Sequence, residues 1–150
     1  MKLRVPPPVV GLLCAGAAWG LHRWGPLIEV HVPGQRAVAV TLIAVGLAID
    51  VTAVIAFFRA KTSITPLAPG KTTELVVSGW YRFSRNPMYL GMLGVLIGWV
   101  LWLGQPLGVL TLILFVIWIT TFQIVPEEQV LAQKFGERYE AYRSRVRRWL

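Results

Sequence analysis

The residues best suited to chemistry in this 150-residue sequence form two short polar groups, each at the end of an apolar segment. The first is the run from Arg85 to Gly91, which reads Arg-Asn-Pro-Met-Tyr-Leu-Gly, and the second is the acidic pair Glu127 and Glu128. A carboxylate there could accept hydrogen bonds from an ammonium group or from the hydroxyl groups of a ligand. Because acids beside lipid are costly unless they meet a partner, the two groups together predict a site for a polar ligand.

The elements that must position these groups are four apolar segments, at residues 9–21, 37–58, 88–103 and 107–125. As a helix, the second would span about 33 Å, enough for a hydrocarbon core of about 30 Å. Gly104, Gln105 and Pro106 join the last two segments, and so short a connection requires antiparallel neighbours. We therefore expect a helical hairpin that brings both polar groups to the same face of the membrane.

The composition predicts an all-α transmembrane protein with four membrane helices. Hydrophobic residues make up 55% of the chain and charged residues 15%, whereas soluble domains are about 25% charged. Residues 1–150 are predicted to form one domain. It comprises two N-terminal membrane helices (1–58), a cytoplasmic loop (59–87), the core hairpin (88–125) and a tail helix (126–150). The first segment follows a basic start, as in a signal peptide, but no clean cleavage site ends it, so we expect a retained helix.

The tail is predicted to be one amphipathic helix lying on the membrane. Leu131, Phe135, Tyr139 and Tyr142 recur at near-helical spacing, and the basic residues fall elsewhere. This places the tail beside the open end of the hairpin.

The basic residues predict the topology. The net charge is +8, and 13 of the 15 Lys and Arg residues lie in the N-terminus, the 59–87 loop and the tail. By the positive-inside rule, both termini and the site are expected in the cytoplasm. Since these charges flank apolar segments, they do not indicate a nucleic-acid partner. His22 and His31 have no third ligand nearby, so no metal site is predicted.

Several single residues carry local expectations. Pro87 fits a first helical turn, and Asn86 before it fits a helix cap. Gly91, with Gly94 and Gly98 on the same face, favours close helix packing or an approach of a ligand to the backbone. Asp50, in the middle of the second segment, could serve function or could be hydrogen-bonded within the helix packing.

From about residue 74 to residue 150, the chain resembles the integral-membrane methyltransferase superfamily. That superfamily includes isoprenylcysteine carboxyl methyltransferases and phospholipid N-methyltransferases. The matching pieces are residues 78–81, 85–91, 127–128 and 135–139 with Tyr142. The resemblance implies S-adenosylmethionine as methyl donor and a lipophilic small molecule or lipidated substrate as acceptor.

The resemblance also implies site residues. Those implied to contact the cofactor are Thr73, Glu74, Leu75, Val76, Tyr81, Arg85, Asn86, Pro87, Met88, Tyr89 and Glu127. The residues predicted for catalysis are Glu127, Glu128 and Gln123. Glu127 is expected to hold the cofactor and Gln123 to face the acceptor. Either acid could take the proton of an amine substrate.

Two positions leave the acceptor open between a prenylcysteine-type carboxylate and a phospholipid amine. Asn86 stands where the isoprenylcysteine branch usually has histidine, and Gln123 stands where that branch has an arginine. A neutral amide cannot pair with a substrate carboxylate as a guanidinium does. The tail nevertheless resembles the carboxyl methyltransferases, with Arg147 in place of a proline.

Two alternatives to methyl transfer remain. Membrane sterol reductases resemble this hairpin plan, which would make the chain an NAD(P)H-dependent reductase. Asp50 also keeps open a non-catalytic membrane protein that packs helices or carries a small solute. The oligomeric state is not predicted.

Overall fold

The structure is a computed structural model that describes residues 5–26, 29–60 and 74–150. All of its regular structure is helical within these ranges, as the sequence predicts. Short 3₁₀ turns occupy Gly79–Arg82 and Pro106–Gly108, and a π-helical turn occupies Thr120–Ile124. The α-helices are α1 (Pro7–Trp24), α2 (Gln35–Arg59), α3 (Pro87–Leu103), α4 (Val109–Ile119), α5 (Val125–Phe135) and α6 (Glu137–Arg143).

The second arm of the hairpin is longer than the sequence predicts. Helical structure runs without interruption from Pro106 to Phe135, whereas we expected the arm to end at residue 125 and a separate tail helix to begin at residue 126. The π turn explains the difference. Val125 donates its backbone hydrogen bond to Thr120, five residues back, and this wider turn directly precedes Pro126, whose ring disfavours an ordinary α-helical turn. The acidic pair that follows therefore lies on the same continuous helical arm as α4.

The glycine face of α3 packs directly on α2. A Cβ atom added at Gly91 would lie 2.6 Å from the carbonyl oxygen of Gly46, and one at Gly98 would lie 2.6 Å from that of Ala39. At Gly94 the nearest atom would be 3.5 Å away, an ordinary contact. The close packing predicted for this face is confirmed, and Gly91 and Gly98 are the positions where it is closest.

Helix α1 packs against both arms of the hairpin. Cys14 is buried in a cluster that includes Leu96, Phe115 and Ile119, in keeping with a structural thiol. At the tight turn, the buried amide of Gln105 donates to the carbonyl of Pro26, 3.0 Å away. These contacts tie the hairpin's closed end to the first helix.

The tail is not one amphipathic helix. The chain breaks at Gly136, which has a φ of 49°, and the helix after it ends at Arg143. Tyr139 and Tyr142 are buried within the protein, at 2% and 6% exposure. The last residues return to the start of α3, so the tail closes over the hairpin's open end.

Two stretches in the described part of the chain are long and apolar enough to cross a membrane, namely Gln35–Arg59 and Pro106–Phe135. Only 22% of the apolar window of α2 is buried inside the protein, which leaves most of this apolar helix exposed, as is typical of a helix that contacts lipid. Helix α3 is apolar but shorter. Four membrane helices and a cytoplasmic orientation of both termini remain predictions.

Candidate active site

The first turn of α3 meets the first turn of α5 through one short hydrogen bond. The hydroxyl of Tyr89 donates to Oε1 of Glu127 at 2.8 Å, and Tyr89 is only 6% exposed. The residues are 38 positions apart, and the antiparallel hairpin is what brings them together. The expected meeting of the two polar groups is confirmed.

Glu128, the neighbouring acid, is held by two guanidinium groups. Arg148 binds it with Nε 3.0 Å from Oε1 and Nη2 2.7 Å from Oε2, in a bidentate geometry. Nη2 of Arg85 lies 3.2 Å from the same Oε1. The side chains of Glu128 and Arg85 are 12% and 9% exposed, so these ion pairs are partly protected from water. Hydrogen bonding to Glu128 raises the pKa of Arg148.

The loop before α3 is fastened to the tail through backbone carbonyls. Asn86 donates its side-chain amide to the carbonyl of Arg148 at 2.9 Å, and the backbone N–H of Arg85 donates to the carbonyl of Arg147 at 3.0 Å. Asn86 occupies the N-cap position of α3, as predicted, but its side chain makes no capping hydrogen bond, because its amide donates to the tail. Its backbone N–H is instead bound by Ser84 Oγ at 3.1 Å.

Tyr81 forms the inner wall of the cluster from the 3₁₀ turn. It is 6% exposed, and its ring packs edge-on against Phe57 with centroids 5.5 Å apart. Its carbonyl accepts a hydrogen bond from the hydroxyl of Tyr142 at 2.7 Å. Burial raises the pKa of Tyr81, and electrostatic interactions with Tyr142, Glu127 and Asp50 raise it further. Burial likewise raises the pKa of Tyr142, which favours the neutral, hydrogen-bond-donating form of both phenols.

The remaining residues implied for cofactor binding differ in how deeply they are buried. Pro87 is the first, buried residue of α3, and Met88 packs with the cluster that contains Val76 and Tyr81. Leu75 is half-buried and Glu74 is exposed. Thr73 lies outside the described residues.

Gln123 lies on the π turn and is completely buried. Its amide nitrogen donates to the carbonyl of Val5, ahead of α1, at 2.8 Å, and its Oε1 has no hydrogen-bond partner among the described residues. The side chain therefore ties the hairpin to the start of the chain. Its expected role of facing the acceptor stays a prediction.

Sequence reasoning missed Arg148, the strongest partner of Glu128. The only signal was the basic character of the tail, which assigns no single arginine to the acid. Asp50 was singled out but left open. Its Oδ1 is buried beside Gly91 and has no hydrogen-bond partner in the described part of the chain.

The sequence matches the family model for phospholipid methyltransferases over residues 35–138. The chain belongs to the phospholipid methyltransferase family. The match runs from the start of α2 into α6 and includes the Tyr89–Glu127 contact. The resemblance to the integral-membrane methyltransferase superfamily is thereby confirmed, and the chain is a membrane-associated methyltransferase by family.

Individual proteins are also similar to this chain in sequence. An uncharacterized protein of Haemophilus influenzae is 49% identical over 63 residues, which are 42% of this chain and all of that protein. Protein-S-isoprenylcysteine O-methyltransferase B of Arabidopsis thaliana is 31% identical over 107 residues, 71% of this chain and 54% of the plant protein. The chain thus spans about half the length of that relative. A Delta(14)-sterol reductase of Mus musculus is 36% identical over 86 residues, 54% of this chain and 19% of the reductase. No solved structure matches the chain.

Proposed function

We propose that this protein transfers a methyl group from S-adenosylmethionine to a lipophilic acceptor at the cytoplasmic face of the membrane. The observation that carries the proposal is the Tyr89–Glu127 hydrogen bond beside an incompletely bonded Arg85, at the open end of an apolar hairpin. Family membership supports the reaction class. The site chemistry supports the choice of donor.

The polar groups present fit the amino-acid end of S-adenosylmethionine. Nε of Arg85 is buried and has no hydrogen-bond partner among the described residues, and a guanidinium N–H is a natural donor to a carboxylate. The carboxylate of Glu127 would accept from the ammonium group or from ribose hydroxyls. Tyr89 orients that carboxylate. When bound, the donor would supply an electrophilic methyl group on a sulfonium.

Glu128 is a positioning residue in this proposal. Both of its oxygens already accept from guanidinium groups, so its charge is largely satisfied within the protein. Among the described residues, its neighbour Glu127 accepts one side-chain hydrogen bond, from the phenol of Tyr89. If the acceptor is an amine, Glu127 is therefore the acid that takes its proton as the nitrogen lone pair becomes available for attack.

The rest of the chain supplies positioning and exclusion of water. Methyl transfer needs an in-line approach, and holding the reacting groups in place can supply much of the rate. The tail carbonyls fix the 84–86 loop over the hairpin, and Tyr139 and Tyr142 fill the space behind it. Such a site can shield the reacting atoms from water. Gln123 is proposed to lie toward the acceptor.

The acceptor is proposed to be a phospholipid amine or a prenylcysteine-type carboxylate. The family model names phospholipid methyltransferases, and the plant relatives are named as isoprenylcysteine methyltransferases. Asn86 and Gln123 favour the amine, because neither side chain supplies the charge that a substrate carboxylate needs. Methyl labelling of a lipid extract and of a prenylated peptide separates these two acceptors.

Purified protein in nanodiscs would be incubated with methyl-labelled S-adenosylmethionine and a total lipid extract, and the labelled species identified by mass spectrometry. We expect label in an aminophospholipid, and no label with Glu127→Gln. Label in a prenylated cysteine peptide added in parallel would assign the carboxylate instead. Absence of label in both arms, with no binding of S-adenosylhomocysteine, would refute the proposal.

A membrane reductase is the second candidate, because the sterol reductase relative is 36% identical over its matched stretch. The two activities require different cofactors, so titration with NADPH and with S-adenosylhomocysteine separates them. We expect binding of S-adenosylhomocysteine only. Saturable NADPH binding that Glu127→Gln abolishes would favour the reductase.

A further inference from the structure

The segment that follows α6 reaches the candidate active site without forming regular structure. Backbone hydrogen bonds continue the last turn of α6 as far as Val146, whose N–H donates to the carbonyl of Tyr142 at 3.1 Å. Residues 147–150 then form neither helix nor strand. We call residues 147–150 the strap. A short segment outside the packed helices belongs to the part of a protein that opens locally most easily.

The backbone of the strap is bound by the loop that leads into α3. The carbonyl of Arg147 accepts a hydrogen bond from the backbone N–H of Arg85 at 3.0 Å. The carbonyl of Arg148 accepts from the side-chain amide of Asn86 at 2.9 Å and from the hydroxyl of Ser84 at 3.4 Å. The strap is therefore fastened to three consecutive residues of the loop, one of which is the arginine of the candidate site.

One side chain of the strap fastens it to the hairpin. The guanidinium of Arg148 binds Glu128 of α5 through two hydrogen bonds, at 3.0 and 2.7 Å. Trp149 is half-buried and packs against the hydrophobic cluster that contains Tyr89. The side chain of Arg148 is 36% exposed, so water and salt reach its ion pair. The Arg148–Glu128 pair is thus a fastening that contact with solvent can loosen.

The groups proposed to meet the cofactor are covered in this conformation. Nε of Arg85 is buried, and Tyr89 is 6% exposed. A soluble ligand can touch these groups only after a neighbouring element moves. Arg85 is in contact with Glu128 on α5, with Tyr139 on α6 and with Arg147 in the strap. Of these three elements the strap alone is not helical, so it can move with the smallest loss of packing.

We propose that the strap opens and closes over the candidate active site, with the Arg148–Glu128 pair as its latch. Opening frees the backbone N–H of Arg85 and the amide of Asn86, and lets a soluble ligand with a carboxylate reach the Arg85 guanidinium. Closing returns the site to its covered state. That this ligand is the methyl donor rests on the proposed function, whereas the movement of the strap does not.

Hydrogen–deuterium exchange of the full chain in nanodiscs, without any ligand, measures the opening. The reporter is the backbone N–H of Arg85, which donates to the carbonyl of Arg147 while the strap is closed. We expect Arg148→Gln to speed exchange of this N–H at least ten-fold. Amides in the middle of α3 should exchange as in the unaltered protein, which separates opening of the strap from loss of the fold.

Arg145→Gln is the matched control, because it removes the same charge from the same part of the chain. The guanidinium of Arg145 binds the carbonyl of Ala141, in α6, with Nε at 3.0 Å, and should leave exchange at Arg85 unchanged. Arg148→Lys keeps the charge but not the bidentate geometry, so its effect should be intermediate. It decides the matter if Arg148→Gln also loses protection in α3. Exchange at Arg85 that is no faster in the Arg148 variants than in the control would overturn the latch.

The rates of binding and release of S-adenosylhomocysteine, measured by stopped flow, show whether the strap controls entry. A loosened strap spends more time open, so both rates should rise at least five-fold in Arg148→Gln while Kd changes less than three-fold. Faster release with an unchanged rate of binding would make the strap a fixed wall of the site and overturn its opening as a route of entry.

The two measurements also separate this proposal from the proposed function. If S-adenosylhomocysteine does not bind the unaltered protein, but Arg148→Gln still speeds exchange at Arg85, the opening strap is sustained and the proposed function alone is rejected. If the ligand binds and exchange at Arg85 is the same in both proteins, the latch is rejected and the proposed function stands.

Discussion

Helix α3 is fixed in two different ways along its length. Its middle packs on α2 backbone to backbone, at Gly91 and Gly98, where no side chain fits. Its first turn is held by polar contacts that converge from α5 and the tail, as in the Tyr89–Glu127 and Arg85–Glu128 pairs. The packed region leaves no room for a side chain at Gly91 or Gly98, whereas the polar region contains Arg85, whose Nε has no hydrogen-bond partner among the described residues. We therefore assign a structural role to the packed region and ligand binding to the polar region.

The packed region should be the less tolerant of added volume. Gly91→Ala places a Cβ against the carbonyl oxygen of Gly46, and backbone cannot move aside as a flexible side chain can. We expect a loss of about 3 kcal/mol in the free energy of unfolding. Gly94→Ala is the matched control on the same face, since its nearest contact would be 3.5 Å. Unfolding titrations in detergent compare the two variants, and equal stabilities would contradict the close packing.

The polar region should respond in function and not in stability. Glu127→Gln keeps the size of the side chain but removes the charge that a ligand ammonium would meet. We expect affinity for S-adenosylhomocysteine to fall about 100-fold, which is about 2.7 kcal/mol, with an unfolding midpoint close to that of the unaltered protein. Calorimetric titration measures the first and thermal unfolding the second. A variant with unchanged affinity would remove Glu127 from the cofactor site.

Substitution of Glu128 should reduce stability more than substitution of Glu127, because Glu128 is bound by two arginines of the protein itself. Glu128→Gln leaves the nearly buried guanidinium of Arg85 without its ion pair and releases Arg148. We expect a loss of about 2 kcal/mol of stability, as for hydrogen bonds to charged groups, and about a ten-fold loss of activity. A double-mutant cycle with Arg148→Gln checks the mechanism, since the two effects should be strongly non-additive. Full additivity would show that the pair does not fasten the tail.

The packed region was the easier one to predict from sequence. The three- and four-residue spacing of the glycines and the short turn at residues 104–106 follow from local geometry, and both appear as expected. The hairpin then makes the meeting of Tyr89 with Glu127 a consequence of chain length alone. The end of the second hairpin arm near Pro126 was harder to predict, because a π turn lets the helical structure continue through this proline.

The closure of the site by the tail could not be predicted in this way. Asn86 and Arg85 bind the carbonyls of Arg148 and Arg147, and any residue type presents a carbonyl. The break at Gly136 was also missed, because the aromatic spacing on either side of it suits a continuous helix. The pattern of side chains in a sequence predicts helix faces and membrane spans well. It says little about backbone hydrogen bonds between residues that are far apart in the sequence.

Asp50 is the residue that tests where the boundary between the two regions lies. It is an acid, as in the polar region, but its Oδ1 lies against Gly91 in the packed one. We assign it to the packing, so Asp50→Asn, which keeps the shape and can still hydrogen-bond, should retain activity within about two-fold. Methyl transfer and thermal unfolding are measured together. A ten-fold loss of activity at unchanged stability would move Asp50 into the site, because a packing residue cannot lose function without loosening the α2–α3 contact.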